Sequence, residues 1–288
     1  MRFVRKPLSG NSVASAPQPT DVPSLLPREL IPGLLGRHKI LLFLDYDGTI
    51  SEITPAFAEA RPAVGARELL GTLASHPKRI SIVIVSGRAI DEVRRLLGLD
   101  SNLLFAGVHG LEVTDVDGQC RPVSDISRGI ADLAKVRTWL KTNVEGRSGF
   151  ALEDKGVAIA LHYRSADPSE ALALRSRFEA FIEQEAPELK IRHGKMVAEA
   201  IPRSASKGMA VRFFLERASG APVPVYFGDD LTDEDAFFTL RDRGVTVLVD
   251  DRRRPSWAKY RVEAPSDVVE VLADIAAVLN QASDEQLT

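Results

Sequence analysis

Apolar runs that stop abruptly in polar residues recur along this chain, and their spacing predicts the elements. KILLFLDYD, residues 39–47, is a continuous apolar run ending in two aspartates, the pattern of a strand buried on both faces. AVGARELLGTLASH has helical spacing, with Leu69, Leu70 and Leu73 on one side. RISIVIVSG predicts a second buried strand, AIDEVRRLLG a helix closed by Gly98, and LLFAGVHG a third short strand. Strand, helix, strand, helix, strand implies a parallel sheet with right-handed crossovers.

The pattern then changes. Residues 126–145 predict a helix around Ile130, Leu133, Val136 and Leu140. FALEDKGVAIALHYR reads as a hairpin about its DKG turn, PSEALALRSRFEAFIEQ as a helix, and IRHGKMVAEAIP as a second hairpin about His193-Gly194. Two helix–hairpin units predict a small antiparallel sheet backed by two helices, inserted over residues 121–201. Afterwards SKGMAVRFFLER, PVYFGDD, TDEDAFFTLRDR, GVTVLVD and DVVEVLADIAAVLNQA restore the alternation of helix and buried strand. The expected fold class is α/β, a Rossmann-like parallel-sheet core over 37–120 and 202–282 with an inserted α+β domain. Residues 1–36, rich in Ser, Pro and Ala, read as a flexible tail with a short docking helix in RELIPGLLG. Residues 283–288 read as a frayed C-terminal tail.

Composition narrows the class without changing it. The chain has 288 residues, 44% hydrophobic and 27% charged, an ordinary globular balance. A net charge of −3 with no long basic stretch speaks against nucleic acid as a partner. Arg252-Arg253-Arg254, just before Pro255, reads as a solvated loop. Cys120 is the only cysteine and cannot close an internal disulfide, which fits a reducing compartment and a cytoplasmic location. No apolar run approaches the roughly 18 residues that span a membrane, and no apolar signal core follows the N-terminus. The sequence sets no oligomeric state.

In open parallel sheets, ligands bind outside the carboxyl ends of the strands. Four polar clusters fall there: Asp45-Tyr46-Asp47-Gly48-Thr49, Ser86-Gly87-Arg88, Lys207, and Gly228-Asp229-Asp230. Carboxylates without cysteine or paired histidines favour a hard cation, and Mg²⁺ sharing its shell with water and phosphate fits best. A carboxylate can attack phosphorus and form an aspartyl-phosphate. A second one, two residues on, projects to the same side of an extended chain and can protonate the leaving oxygen. Lys207 and Ser86 would hold the transferring phosphoryl oxygens. Asp230 reads either as a further ligand or as an acceptor behind the ligands. Asp233 reads as a helix N-terminal carboxylate favoured by the dipole, and Tyr46 as packing beside the site.

DYDGT, SGR, Lys207 and GDD…TDED resemble, in order, the four motifs of the haloacid dehalogenase-like phosphatases over roughly residues 38–280. The insertion between the second and third motifs resembles that superfamily's αββαββ cap. FAGVHGLE, LEDKGVAIALHYR, HGKMVAEAIP and GDDLTDEDAFF are similar to segments of trehalose 6-phosphate phosphatases. The resemblance implies a Mg²⁺-dependent phosphatase acting on a small sugar phosphate, trehalose 6-phosphate. It implies Asp45 as nucleophile and Asp47 as acid and base, with Ser86 and Lys207 completing the catalytic set. It implies Mg²⁺ on Asp45, Asp229 and the backbone carbonyl of Asp47, with Asp230 as the further acidic candidate. It implies sugar contacts from Glu153, Lys155, His162, Arg164 and Glu199. Arg88, and His109 between Gly107 and Gly110, complete the expected substrate-binding set. AIPRSASKG keeps the family's Pro and Lys-Gly but lacks the acidic residue or asparagine often found just before the lysine. A lid of this kind is expected to move against the core about linkers near 118–122 and 201–206. Two alternatives stand beside this reading: a related sucrose or hexose phosphatase with the same cap, and a sensor that binds a sugar phosphate without turnover. Both aspartates of DYD are present, which weighs against the sensor.

Overall fold

Six consecutive buried residues, Ile40–Asp45, lie at the centre of the main sheet. Ile40, Leu42 and Leu44 enter one apolar layer, Leu41 and Phe43 the other. A strand covered on both faces has no polar side to show, so its sequence is apolar up to the terminal Asp45.

The computed structural model describes residues 18–35, 37–53, 60–99, 102–114, 118–123, 126–194 and 196–284. The first part of the core comprises β1 (Ser24–Leu25), α1 (Leu30–Leu35), β2 (Ile40–Asp45), α2 (Ala66–Ala74), β3 (Ile80–Val85), α3 (Ile90–Leu97), β4 (Leu103–Gly107), β5 (Glu112–Thr114) and β6 (Cys120–Pro122). The cap comprises α4 (Ser127–Val144), β7 (Ala151–Asp154), β8 (Ile159–His162), α5 (Pro168–Glu185), β9 (Leu189–Gly194) and β10 (Val197–Pro202). The core resumes with α6 (Lys207–Arg217), β11 (Val223–Gly228), α7 (Glu234–Leu240), β12 (Val245–Val249), β13 (Tyr260–Val262) and α8 (Pro265–Asp284).

The nine-stranded sheet has the order β1-β13-β12-β11-β2-β3-β4-β5-β6. Pairing is parallel from β1 to β4, and β5 and β6 extend it antiparallel. Helices α1, α2, α3 and α8 pack on one face, α6 and α7 on the other. Strand order runs outward from β2 in both directions, so the carboxyl ends of β2, β3 and β11 face one crevice. Among the described residues no helix is long and apolar enough to cross a membrane.

The expected tail is shorter than its composition suggests. The docking helix forms as α1, with Ile31 and Leu35 buried, and β1 adds a parallel edge strand against β13. Residues 1–17 of the expected tail lie outside the described residues. The cap boundary also shifts. Residues 120–122 form β6 on the core sheet, so the linker into the cap follows β6 rather than occupying 118–122. β10 runs to Pro202, leaving 203–206 between it and α6.

The cap sheet, order β7-β8-β10-β9, is antiparallel throughout. Alternation separates its faces. Ile159, Leu161, Ala198, Ala200, Leu189 and Ile191 pack against α4 and α5. The register aligns Glu153 with Ala160, Ala160 with Glu199, and Glu199 with Arg192, so these residues share the opposite face.

Candidate active site

Three chain segments build an acidic cluster at the end of β2. Asp45 is the last residue of that strand, Asp229 directly follows β11, and Asp233 closes the 3-10 turn Leu231–Asp233 that leads into α7. Each offers one carboxylate oxygen within 4.8 Å of the other two. Gly48 makes this approach possible. Its φ is +79°, and a Cβ there would fall on the Asp229 carboxylate. Lys207 opens α6 and is buried. Its Nζ donates to Asp45 Oδ1 at 2.6 Å and to Asp233 Oδ1 at 2.8 Å. Tyr226 of β11 donates its hydroxyl to Asp233 Oδ1 at 2.6 Å.

This cluster is short of positive charge. Burial would lower the Lys207 ammonium, but Asp233 and Asp45 more than offset it and hold the pKa above its ordinary value. Burial pushes Asp45 well up despite Lys207, with Asp233 and Asp229 adding repulsion. Burial and the Asp233 charge push Asp229 up to about 7. Two buried carboxylates and the partly buried Asp229, against one ammonium, leave room for a divalent cation, and an all-oxygen donor set suits a hard one. The residues present therefore fit Mg²⁺.

The remaining expected core residues take other positions. Arg88 is buried and grips the Asp47 carboxylate through Nε and Nη2, both at 2.7 Å, and also pairs with Glu92. Its guanidinium is thus held by two carboxylates of the core rather than presented to a ligand, and the side chain of Asp47 points at Arg88. Ser86 is buried at the end of β3, where its Oγ accepts from Arg88 N at 3.1 Å. Asp230 is exposed and stands apart from the acidic cluster, its carboxylate accepting from Leu231 N.

Asp233 takes the place that the sequence offered to Asp230. It is fully buried, it completes a capping box by accepting from Asp230 N at 3.2 Å, and it also receives Lys207 and Tyr226. In an acidic run such as DDLTDED the dipole explains any of the carboxylates, and no local signal selects the one that turns inward. The run Arg252-Arg253-Arg254 reads as a solvated loop, yet Arg254 is only partly exposed. It bonds Asp250, Glu234 and the carbonyl of Asp229, at 3.2 Å for the last.

The expected sugar-facing residues fall into two groups and a single residue. His109, Lys155 and Glu199 join: Glu199 accepts from Lys155 Nζ at 2.8 Å, and His109 Nε2 lies 3.3 Å from its other oxygen. Burial would raise Glu199, but His109 and Lys155 bring it down to about 2. Burial lowers His109 to about 4. Glu153 and His162 pair across β7 and β8 at 2.9 Å, half-exposed. Arg164 is exposed just beyond β8. Arg192 of β9, opposite Glu199 in the ladder, bonds His109 Nδ1. It was absent from the expected set, although the alternation Leu189-Lys190-Ile191-Arg192 marks it as belonging to the polar face.

A family model described as trehalose-phosphatase matches residues 43–266. A probable trehalose-phosphate phosphatase 4 of Oryza sativa subsp. japonica is 33% identical over 261 residues, covering 86% of this chain and 69% of its own length. The trehalose-phosphate phosphatase of Mycolicibacterium paratuberculosis is 33% identical over 260 residues, with 86% of this chain and 65% of that protein covered. The chain thus spans about two thirds of the length of these relatives. Among solved structures, the C-terminal domain of the Candida albicans trehalose-6-phosphate phosphatase aligns with a TM-score of 0.72 at 26% identity, covering 89% of this chain and 98% of that domain.

Proposed function

As this chain belongs to the trehalose-phosphatase family, we propose that it hydrolyses trehalose 6-phosphate to trehalose and inorganic phosphate. The observation that carries this reading is the convergence of Asp45, Asp229, Asp233 and Lys207 at the ends of adjacent parallel strands. In this reading Asp45 attacks phosphorus, and the bond from phosphorus to the sugar oxygen breaks. Asp47 gives the departing oxygen its proton, then takes one from the water that hydrolyses the aspartyl-phosphate. Asp47 has first to exchange Arg88 for the substrate, because Arg88 grips its carboxylate. Lys207 stays protonated between Asp45 and Asp233, so its charge is available to the phosphoryl oxygens.

Asp45, Asp229 and Asp233 would hold Mg²⁺, with the Asp47 carbonyl as a further oxygen. When bound, the ion supplies Lewis-acid stabilisation of the phosphoryl oxygens and neutralises the carboxylates around the nucleophile. Arg254 supports the Asp229 end by holding its carbonyl. The cap supplies recognition. Glu199, Lys155 and the Glu153–His162 pair lie on the polar side of its sheet, and charged partners discriminate sugar hydroxyls strongly. Arg164 is exposed just beyond β8 and adds a further donor.

The test is phosphate release from trehalose 6-phosphate beside sucrose 6-phosphate, glucose 6-phosphate and mannose 6-phosphate, with Mg²⁺ and with chelator. Selective, chelator-sensitive release from the trehalose ester is expected. Preference for another ester would keep the core chemistry and overturn the substrate, and no release from any would favour a sensor.

A further inference from the structure

His109 is held in an unfavourable backbone. Val108 and His109 have φ of +45° and +55°, the left-handed region that side chains other than glycine rarely enter and that β-branched valine enters least. The turn aims the imidazole between core and cap. On the core side the ring lies so close to Gly87, in the Ser86-Gly87-Arg88 loop, that a Cβ there would strike it. On the cap side both ring nitrogens are engaged, Nε2 by Glu199 of β10 and Nδ1 by Arg192 of β9.

The two contacts make opposite demands. A carboxylate accepts and a guanidinium only donates. Nε2 must therefore carry the hydrogen, and Nδ1 must offer its lone pair. A neutral imidazole in one tautomer satisfies both; a protonated ring would turn a second N–H against Arg192. Arg192 makes no ion pair with a carboxylate among the described residues, so its positive charge rests against that ring. We propose that Arg192 is a positioning residue: by donating to Nδ1 it fixes His109 as the neutral Nε2–H tautomer, which orients Glu199 toward the sugar and docks the cap sheet on the Ser86-Gly87-Arg88 loop.

The charged groups around the ring agree with this role. Burial disfavours its protonation first, and Arg192 and Lys207 oppose it further, while Glu199 alone favours it. Lys155 neutralises part of the Glu199 charge from the β7–β8 turn. Arg88, the last residue of the Ser86-Gly87-Arg88 loop, is engaged by Asp47 and Glu92. The proposal rests on the reading of Glu199 as a sugar-facing group, so its test needs one readout that does not depend on the substrate.

That readout is the ¹⁵N spectrum of the His109 ring across pH 5–8, compared among wild type, Arg192→Met and Arg192→Lys. The wild type should show the neutral Nε2–H tautomer throughout. Arg192→Met should raise the titration of the ring by about one pH unit or more, toward the ordinary value near 6.5, and Arg192→Lys should restore much of the shift. In the same proteins, KM for trehalose 6-phosphate should rise about tenfold in Arg192→Met, the scale of one lost hydrogen bond to a charged group. The kcat/KM for a small aryl phosphate should stay within about twofold, because that ester asks nothing of the cap. An unchanged ring titration in Arg192→Met, or parallel losses on both esters, would overturn the proposal. A wild type that leaves trehalose 6-phosphate intact would instead overturn the substrate assignment, and the ring spectra would still decide the tautomer.

Discussion

Raising the pH without a divalent cation should weaken this protein through Asp229. Burial, followed by the Asp233 charge, lifts that carboxyl from 3.8 to about 7. The folded chain therefore binds this proton more tightly than the unfolded chain. The stability it contributes is full below the unfolded value and is lost as pH rises through the folded one. A rise of this size is worth roughly 4 kcal/mol at about 1.4 kcal/mol per pH unit, and roughly 2.5 kcal/mol of it falls between pH 5 and 8. His109, lowered from 6.5 to about 4, works the other way: it adds stability above pH 6.5 and loses it as pH falls toward 4. The readout must therefore be a difference that cancels His109. Urea unfolding at pH 5, 6, 7 and 8, in chelator, should show wild type losing roughly 2.5 kcal/mol relative to Asp229→Asn across that range. Excess Mg²⁺ should flatten that difference, because a cation replaces the proton as the partner of the carboxylates. A difference that is flat with pH in chelator would refute the burial argument. A difference that Mg²⁺ leaves untouched would refute the assignment of Asp229 to the cation.

Three further outcomes follow from the geometry. Asp45→Asn should lower turnover by more than about a thousandfold while the circular dichroism spectrum and cooperative unfolding persist; full activity in the folded variant would remove Asp45 as nucleophile. Glu199→Ala should cut kcat/KM on the trehalose ester by roughly 10- to 100-fold, the scale of lost charge-assisted hydrogen bonds, with a small aryl phosphate nearly unaffected; equal losses in steady-state kinetics would end the case for sugar recognition. Gly48→Ala should cost about 1–2 kcal/mol for the left-handed backbone and weaken Mg²⁺ binding by calorimetry, since its Cβ would displace the Asp229 carboxylate; unchanged affinity would mean Asp229 does not hold the ion.

Much of this protein is legible in its sequence, for a local reason. A strand buried on both faces has to be largely apolar, so β2, β3, β11 and β12 announce themselves, and polar residues at their ends mark the crevice. The order helix–hairpin–helix–hairpin likewise specifies the cap, because alternation and turn residues act over a few positions. Asp45, Ser86, Lys207 and Asp229 each sit at the end or start of such an element, which is why the sequence alone offers them as candidates.

What the sequence withheld depends on partners far along the chain. Asp233 rather than Asp230 turns inward because Lys207 of α6 and Tyr226 of β11 meet it there. Arg88 faces Asp47, 41 residues away, instead of solvent or ligand. Arg192 reaches His109 across 83 residues because the β9–β10 register sets it beside Glu199. The edge strands β1 and β6, and β13 beside β1, are two or three residues long and carry no periodic pattern to read. Periodicity and turn chemistry, which are short-range, determined the layers and the location of the crevice. Which charges meet inside it was decided only by packing, because a buried charge is stable where a partner from another element reaches it.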